Sequence, residues 1–232
     1  MNIWLSTQEA VSLLLSADPD LWSIVAVSFS VSLLAIGLVV IPSLLLALAL
    51  AYSEFKGKWV IISLINTLQA VPTVVIGLLL YMLLSRAGPL GDWQMLFTQK
   101  AMIVGQMLIA FPILTSMMHS TFQNSDKRVL ETAFTLGASI PRAWLSLIFE
   151  CRLPLLAAVI CGFSRILTEV GCSMMVGGNI LNATRNIPTA IALESQKGAF
   201  SQGIALGMVL LILSLLLNFL LANSRGQAYL RG

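Results

Sequence analysis

Five long apolar runs, parted by short polar stretches, set the rhythm of this chain. The first extends over 21–53 and the second over 59–85, neither with a charged residue. A third occupies 101–125, a fourth 153–176 and a fifth 198–224; only the fourth holds charges, Arg165 and Glu169. About 20 mostly apolar residues suffice to cross a bilayer, so each run predicts one membrane-spanning helix. Pro42, Pro72 and Pro112 fall inside the first three runs, where neighbouring helices can take over the carbonyls that proline leaves free. The expected fold is all-α: a polytopic membrane bundle of five transmembrane helices in one permeating unit over 21–224.

The ends and the loops add direction. Residues 1–20 form an N-terminal segment in which 7–16 predict a short helix, capped by Thr7, with Val11, Leu14 and Leu15 on one face. It is too short to span and is expected to lie at the interface. The first basic residue is Lys56, so no basic n-region of a signal peptide precedes it. If the C-terminus is cytoplasmic, Lys56, Lys58, Lys127, Arg128, Arg142, Arg152, Arg225 and Arg231 lie inside, against Arg86, Lys100, Arg185 and Lys197 outside. Lys and Arg concentrate on cytoplasmic loops. The balance predicts the N-terminus out and a cytoplasmic tail over 225–232.

Composition agrees. Of 232 residues, 58% are hydrophobic and 10% charged, with a mean hydropathy of +0.92. Soluble domains carry roughly 25% charge, so an ordinary soluble enzyme and a nucleic-acid binder are both excluded. With one histidine, His119, and three widely spaced cysteines, no catalytic triad, metal site or bound cofactor is expected.

The longest polar connection, 126–152, predicts two short amphipathic helices rather than a loop. Asn124, Ser125 or Asp126 can cap the first, whose apolar residues Val129, Leu130, Ala133, Phe134 and Leu136 recur at helical spacing. Gly137 suits the position after a helix end, where φ turns positive. Ser139 can cap the second helix, Pro141 fits its first turn, and Trp144, Leu147, Ile148 and Cys151 form its stripe. From these residues alone the hairpin is either an interfacial element or a docking surface for a soluble subunit.

Glu131-Thr132-Ala133, followed by Gly137-Ala138-Ser139, resembles the E-A-A…G loop of ABC importer permeases. The family's Ile-x-Leu-Pro is displaced here, with Leu153-Pro154 arriving a few residues late. The resemblance implies that Glu131, Thr132, Ala133, Gly137, Ala138 and Ser139 couple the permease to an ATPase. The chain has no G-x-x-x-x-G-K-[ST] phosphate loop, so ATP hydrolysis would fall to that separate subunit, and this chain is expected not to be an enzyme.

Arg165 and Glu169 stand one turn apart in the fourth run. At mid-membrane the pair costs about 5–7 kcal/mol, against about 3–6 kcal/mol returned by the run's apolar residues. The span is therefore marginal alone, and the pair either ties the bundle together or lines a path. Because the glutamate would cancel the arginine's attraction, no tight anion site is expected there. Exchanging the two residues is expected to preserve folding better than removing either. Gln69 and Thr73 in the second run, and Gln106 in the third, are further candidates to line a path.

Glu169-Val170-Gly171, Gly177-Gly178-Asn179-Ile180 and Thr184-Arg185 resemble the oxyanion branch of those permeases. Among its members, the tungstate permeases look most similar, on Leu14 to Pro19, Leu84 to Gly91, Ala190 to Glu194 and Lys197-Gly198. The resemblance implies a homodimer in a prokaryotic cytoplasmic membrane, with a path between the copies. It also implies two ATPase copies and an extracytoplasmic binding protein docking on loops near 86–100 and 179–202. The implied cargo is tungstate, with molybdate or sulfate next. A channel or secondary transporter is the rival reading; the sequence shows no inverted repeat in its favour.

Overall fold

The computed structural model describes residues 18–229 apart from Lys127, together with Gln8, Val11 and Ser12. The interfacial helix expected over 7–16 thus lies almost wholly outside the described residues. Among them every regular element is helical: α1 (Pro19–Tyr52), α2 (Lys58–Leu68), α3 (Thr73–Leu84), a 3-10 turn (Gly91–Trp93), α4 (Gln99–Gln123), α5 (Arg128–Thr135), α6 (Ile140–Glu150), α7 (Arg152–Leu167), α8 (Gly171–Gly177), α9 (Ile187–Lys197) and α10 (Phe200–Tyr229).

Helix α1 opens at Asp18, whose carboxylate accepts from the amides of Asp20 and Leu21 at 2.9 and 3.2 Å. Pro19 takes the first helical position, where a missing N–H costs nothing. The helix packs most extensively on α4. Small residues make that approach close: Ala35 and Ala47 of α1 and Ala110 of α4 are fully buried, with Val31 and Leu114 filling the seam beside them. The main core extends from there to Leu147 and Cys151 of the hairpin side and to Ile166 and Val176. A second cluster at the other end joins Leu21, Ile24 and Val25 to Ile187, Ala190, Ala205 and Leu206.

The outer faces are apolar too. Leu33, Leu34, Leu38, Ile41 and Leu45 lie exposed on α1, and Leu211, Ile212, Leu215, Leu216 and Phe219 on α10. Continuous apolar surface of this kind is unsuited to water and matches hydrocarbon. Helices α1 and α4 are each long and apolar enough to cross a bilayer; α2 with α3, and α6 with α7, qualify only if each bent pair counts as one crossing.

Two runs expected as continuous helices are broken. Between α2 and α3 the axis turns by 97°. Pro72 has no N–H to donate and disfavours helical geometry at Val71. The last α2 carbonyls are closed instead by tight turns, from Ala70 N–H to Thr67 and from Val71 N–H to Leu68. Pro42 and Pro112, by contrast, lie within unbroken helices. The fourth run stops at Leu167 and restarts at Gly171. Thr168 turns its hydroxyl back onto the carbonyls of Ser164 and Arg165, a bonding mode that competes with helix propagation. Helix α9 occupies part of the stretch expected as an outer loop, 179–202; Asn186 and Thr189 cap it reciprocally. Helix α10 continues past Ser224 to Tyr229, into the stretch expected as tail.

Candidate functional site

The two breaks meet. A β-carbon added at Gly171 would lie 2.6 Å from Val74 Cγ2 and 3.2 Å from Thr73 Oγ1, and one at Gly77 would lie 2.8 Å from Cys172 Cα. Glycine at both positions lets α3 and α8 touch backbone to backbone, so the start of one half-helix abuts the start of the other. Thr73 is therefore at this junction, and half-buried.

Glu169 holds the second break in shape. One carboxylate oxygen pairs with the Arg165 guanidinium at 3.1 Å. The other accepts the buried amide of Cys172 at 3.1 Å, a donor that the interrupted helix leaves without a carbonyl. The pair is lopsided: the Glu169 side chain is 3% exposed and that of Arg165 48%. Gln106 approaches from α4 but does not reach an open face. It is buried, and its amide donates to the Ile166 carbonyl at 3.3 Å, one of the last carbonyls of α7; its own oxygen has no protein partner. Gln69 is exposed at the first break and donates to Asn66 at 3.3 Å, an oxygen that also accepts from Ser116 at 2.9 Å. Asn66, Ser116, His119 and Ser120 line a cleft of about 260 Å³ between α2 and α4. Arg165, Glu169, Thr73 and Gln106 thus gather around the α7–α8 break, while Gln69 stands on the α2 side.

Gly177-Gly178-Asn179 forms a separate turn at the end of α8. Gly178 and Asn179 both have positive φ, 68° and 52°. The turn is pinned by Thr184, whose hydroxyl donates to the Gly177 carbonyl and accepts the Ile180 amide. Side-chain amide of Asn179 to Thr189 carbonyl, 3.4 Å, ties it to α9. Phe97 packs where a Gly178 side chain would have to go.

At the other end, α5 and α6 form the helical hairpin. Asp126 accepts the Arg128 amide at 2.9 Å and so caps α5. Gly137, at φ 80°, closes α5 with paired bonds: Gly137 N–H to Phe134 and Ala138 N–H to Ala133, both 2.9 Å. This is the glycine C-cap with two carbonyls satisfied. Ser139 stands at the N-cap of α6 but makes no capping bond with its side chain. Ala143 and Leu147 turn inward, whereas Glu131, Thr132, Gly137 and Ser139 are exposed. So are Phe134, Ile140, Leu145, Phe149 and above all Leu136, at 82%.

A family model described as the inner membrane component of binding-protein-dependent transport systems matches residues 43–225. The chain belongs to this family. It is 38% identical to the tungstate uptake system permease protein TupB of Campylobacter jejuni, over 92% of this chain and 89% of that one. It is 37% identical to the TupB of Peptoclostridium acidaminophilum, over 90% and 92%. A molybdenum transport system permease protein ModB of Haemophilus influenzae is 32% identical over 75% and 80%. Among solved structures, an amino acid ABC transporter superposes with a TM-score of 0.66 at 18% identity, over 90% of this chain and 94% of that one. The permease fold and an inner-membrane setting follow for this binding-protein-dependent transport component, and its similarity is to transport subunits rather than to enzymes. Several contacts that shape the candidate site carry no signal in the sequence. The Thr184 staple and the Cys172 amide are seen only once the turns are folded, and the Asn186–Thr189 cap was readable from the Asn-x-x-Thr spacing.

Proposed function

We propose that this chain is one of two identical permease subunits in an ATP-driven importer of a tetrahedral oxyanion, tungstate foremost and molybdate next. The observation that carries the cargo is the degree of likeness: 37–38% identity to two tungstate permeases over nine-tenths of the chain, against 28–32% for the molybdenum permeases. A relative from Haloferax volcanii, described as a probable anion ABC transporter permease, stands at 39%. In this reading the unit over 21–224 crosses five times, through α1, the α2–α3 pair, α4, α7 with α8, and α10, with the N-terminus outside and α5 and α6 in the cytoplasm.

The hairpin supplies the motor contact. Its exposed apolar residues surround Glu131 to Ser139, as a surface covered by a soluble ATPase would require. Helix α6 passes directly into α7 at Cys151, with a bend of 71°. When ATP draws two ATPase copies together, a displaced hairpin therefore pulls on α7, which carries Arg165 and the junction of the two breaks. The path would run between the two copies, along the exposed face of α7 and the end of α2. An extracytoplasmic binding protein would dock near 86–100 and 179–202, with the turn at Gly177, Gly178 and Asn179 beneath it. It would hold most of the selectivity.

The test is reconstitution. The chain should retain its ATPase on purification, and the complex should hydrolyse ATP faster with binding protein loaded with tungstate than with sulfate-loaded or empty protein. A chain that holds no ATPase yet conducts ions in liposomes would overturn the permease reading. Equal stimulation by every loaded form would overturn the cargo.

A further inference from the structure

We infer that Arg165 is an anion-holding station inside the permease, a role the bare sequence argues against because Glu169 stands one turn away. This rests on the importer reading above and deepens it. The geometry separates the two charges. Glu169 is buried, with one oxygen on Arg165 and the other on the Cys172 amide. Its carboxylate is thus turned into the helix break and engaged on both sides. Arg165 gives one nitrogen, Nη1, to that contact and remains half-exposed. Guanidinium carries five N–H donors, so several remain for a ligand, and an oxyanion suits their planar fork.

The exposed face of α7 next to Arg165 is itself polar. Cys161, Arg165 and Thr168 are exposed at i, i+4 and i+7, with Ser164 half-buried between them. Such positions share one side of a helix. From Leu33 to Tyr52 α1 exposes only apolar residues, α3 exposes valine, leucine, methionine and Tyr81, and the exposed side chains described over 211–219 of α10 are leucine, isoleucine and phenylalanine. Arg165 lies about 20 Å along α7 from Arg152 at 1.5 Å per residue, deep in the span. A guanidinium facing hydrocarbon there is costly, so the polar stripe faces an aqueous path rather than lipid. Two copies would bring two such arginines to one path. Each would hold an anion loosely, because each is already paired once, and loose holding is what passage requires.

Cys161, one turn before Arg165 on the same stripe, supplies a direct readout. Cys151 and Cys172 are buried. The purified permease–ATPase complex is treated with an anionic and a cationic methanethiosulfonate reagent of similar size, each rate divided by that for a free thiol. The anionic reagent is expected to be favoured by roughly tenfold at Cys161, and tungstate or molybdate should slow it. Arg165→Lys should keep the preference. The double variant R165Q/E169Q should abolish it; it removes both charges together and leaves an oxygen for the Cys172 amide, which protects folding. Cys161→Ser should remove labelling altogether.

Absence of a preference for the anionic reagent in the unmodified complex would overturn the proposal. So would a preference that survives R165Q/E169Q, or a Cys161 that stays unreactive in a complex that turns over. ATP hydrolysis stimulated by loaded binding protein is followed alongside. Normal stimulation without a charge preference sinks the station alone, whereas failure to retain an ATPase sinks the permease reading.

Discussion

Gly171 and Thr73 begin two half-helices from different parts of the chain, and the space between them does not admit a methyl group. A β-carbon on Gly171 would stand 3.2 Å from Thr73 Oγ1 and 2.6 Å from Val74 Cγ2. One on Gly77 would meet the Cys172 backbone at 2.8 Å, an atom that cannot rotate away. Overpacking of this kind costs roughly 1–3 kcal/mol. Gly77→Ala should therefore lower the thermal midpoint of the detergent-solubilised complex by several degrees. Gly37→Ala, with nothing within 4 Å of its added carbon, should leave it unchanged.

The ion pair beside that junction yields a sharper expectation than its spacing does. By charge alone, exchanging Arg165 and Glu169 should be tolerated. The structure argues the reverse, because position 169 must present an acceptor to the buried Cys172 amide and an arginine has none. Leaving a buried donor unsatisfied costs about 1–3 kcal/mol, so the exchanged pair should be less stable than E169Q, which keeps an oxygen there. Thermal midpoints of the two variants check the order. If the exchange proves the milder change, the amide contact is not what holds the break.

Glu131 is exposed on α5, with no ion-pair partner among the described residues. Glu131→Lys should leave the membrane bundle and its thermal midpoint intact while abolishing ATP-linked uptake and reducing ATPase retention at least tenfold. Retention is read by co-purification, and uptake in proteoliposomes made from the same preparation. Retention at the original level would remove Glu131 from the coupling surface.

Thr184 acts through two hydrogen bonds to the turn at Gly177 and Ile180. Thr184→Val keeps its shape and loses both, with an expected destabilisation of about 1–3 kcal/mol. Thr184→Ser should retain most of the stability. If the turn serves as the seat of the binding protein, T184V should also weaken stimulation by loaded binding protein more than it lowers unstimulated hydrolysis.

What the sequence determined by itself is what local chemistry decides. The first and third apolar runs fold as α1 and α4, within a residue or two of their predicted ends at the first and two at the third. The hairpin was readable because its signals are short-range: a cap among Asn124, Ser125 and Asp126 before the first turn, of which the structure selects Asp126, Gly137 after the last, and stripes at helical spacing. Proline at 72 was visible too, but Pro42 and Pro112 look the same in a hydropathy profile and do not break their helices. Only the tertiary structure decided between these outcomes, because a broken helix persists where local turns close its freed carbonyls and another element packs against the bend. The same reason hid the orientation of the charged pair. Spacing brings Arg165 to Glu169, but only the meeting of α3, α4 and α8 buries the carboxylate and leaves the guanidinium exposed. In helices apolar on nearly every side, periodicity names no face, and the contacts between distant segments assign it.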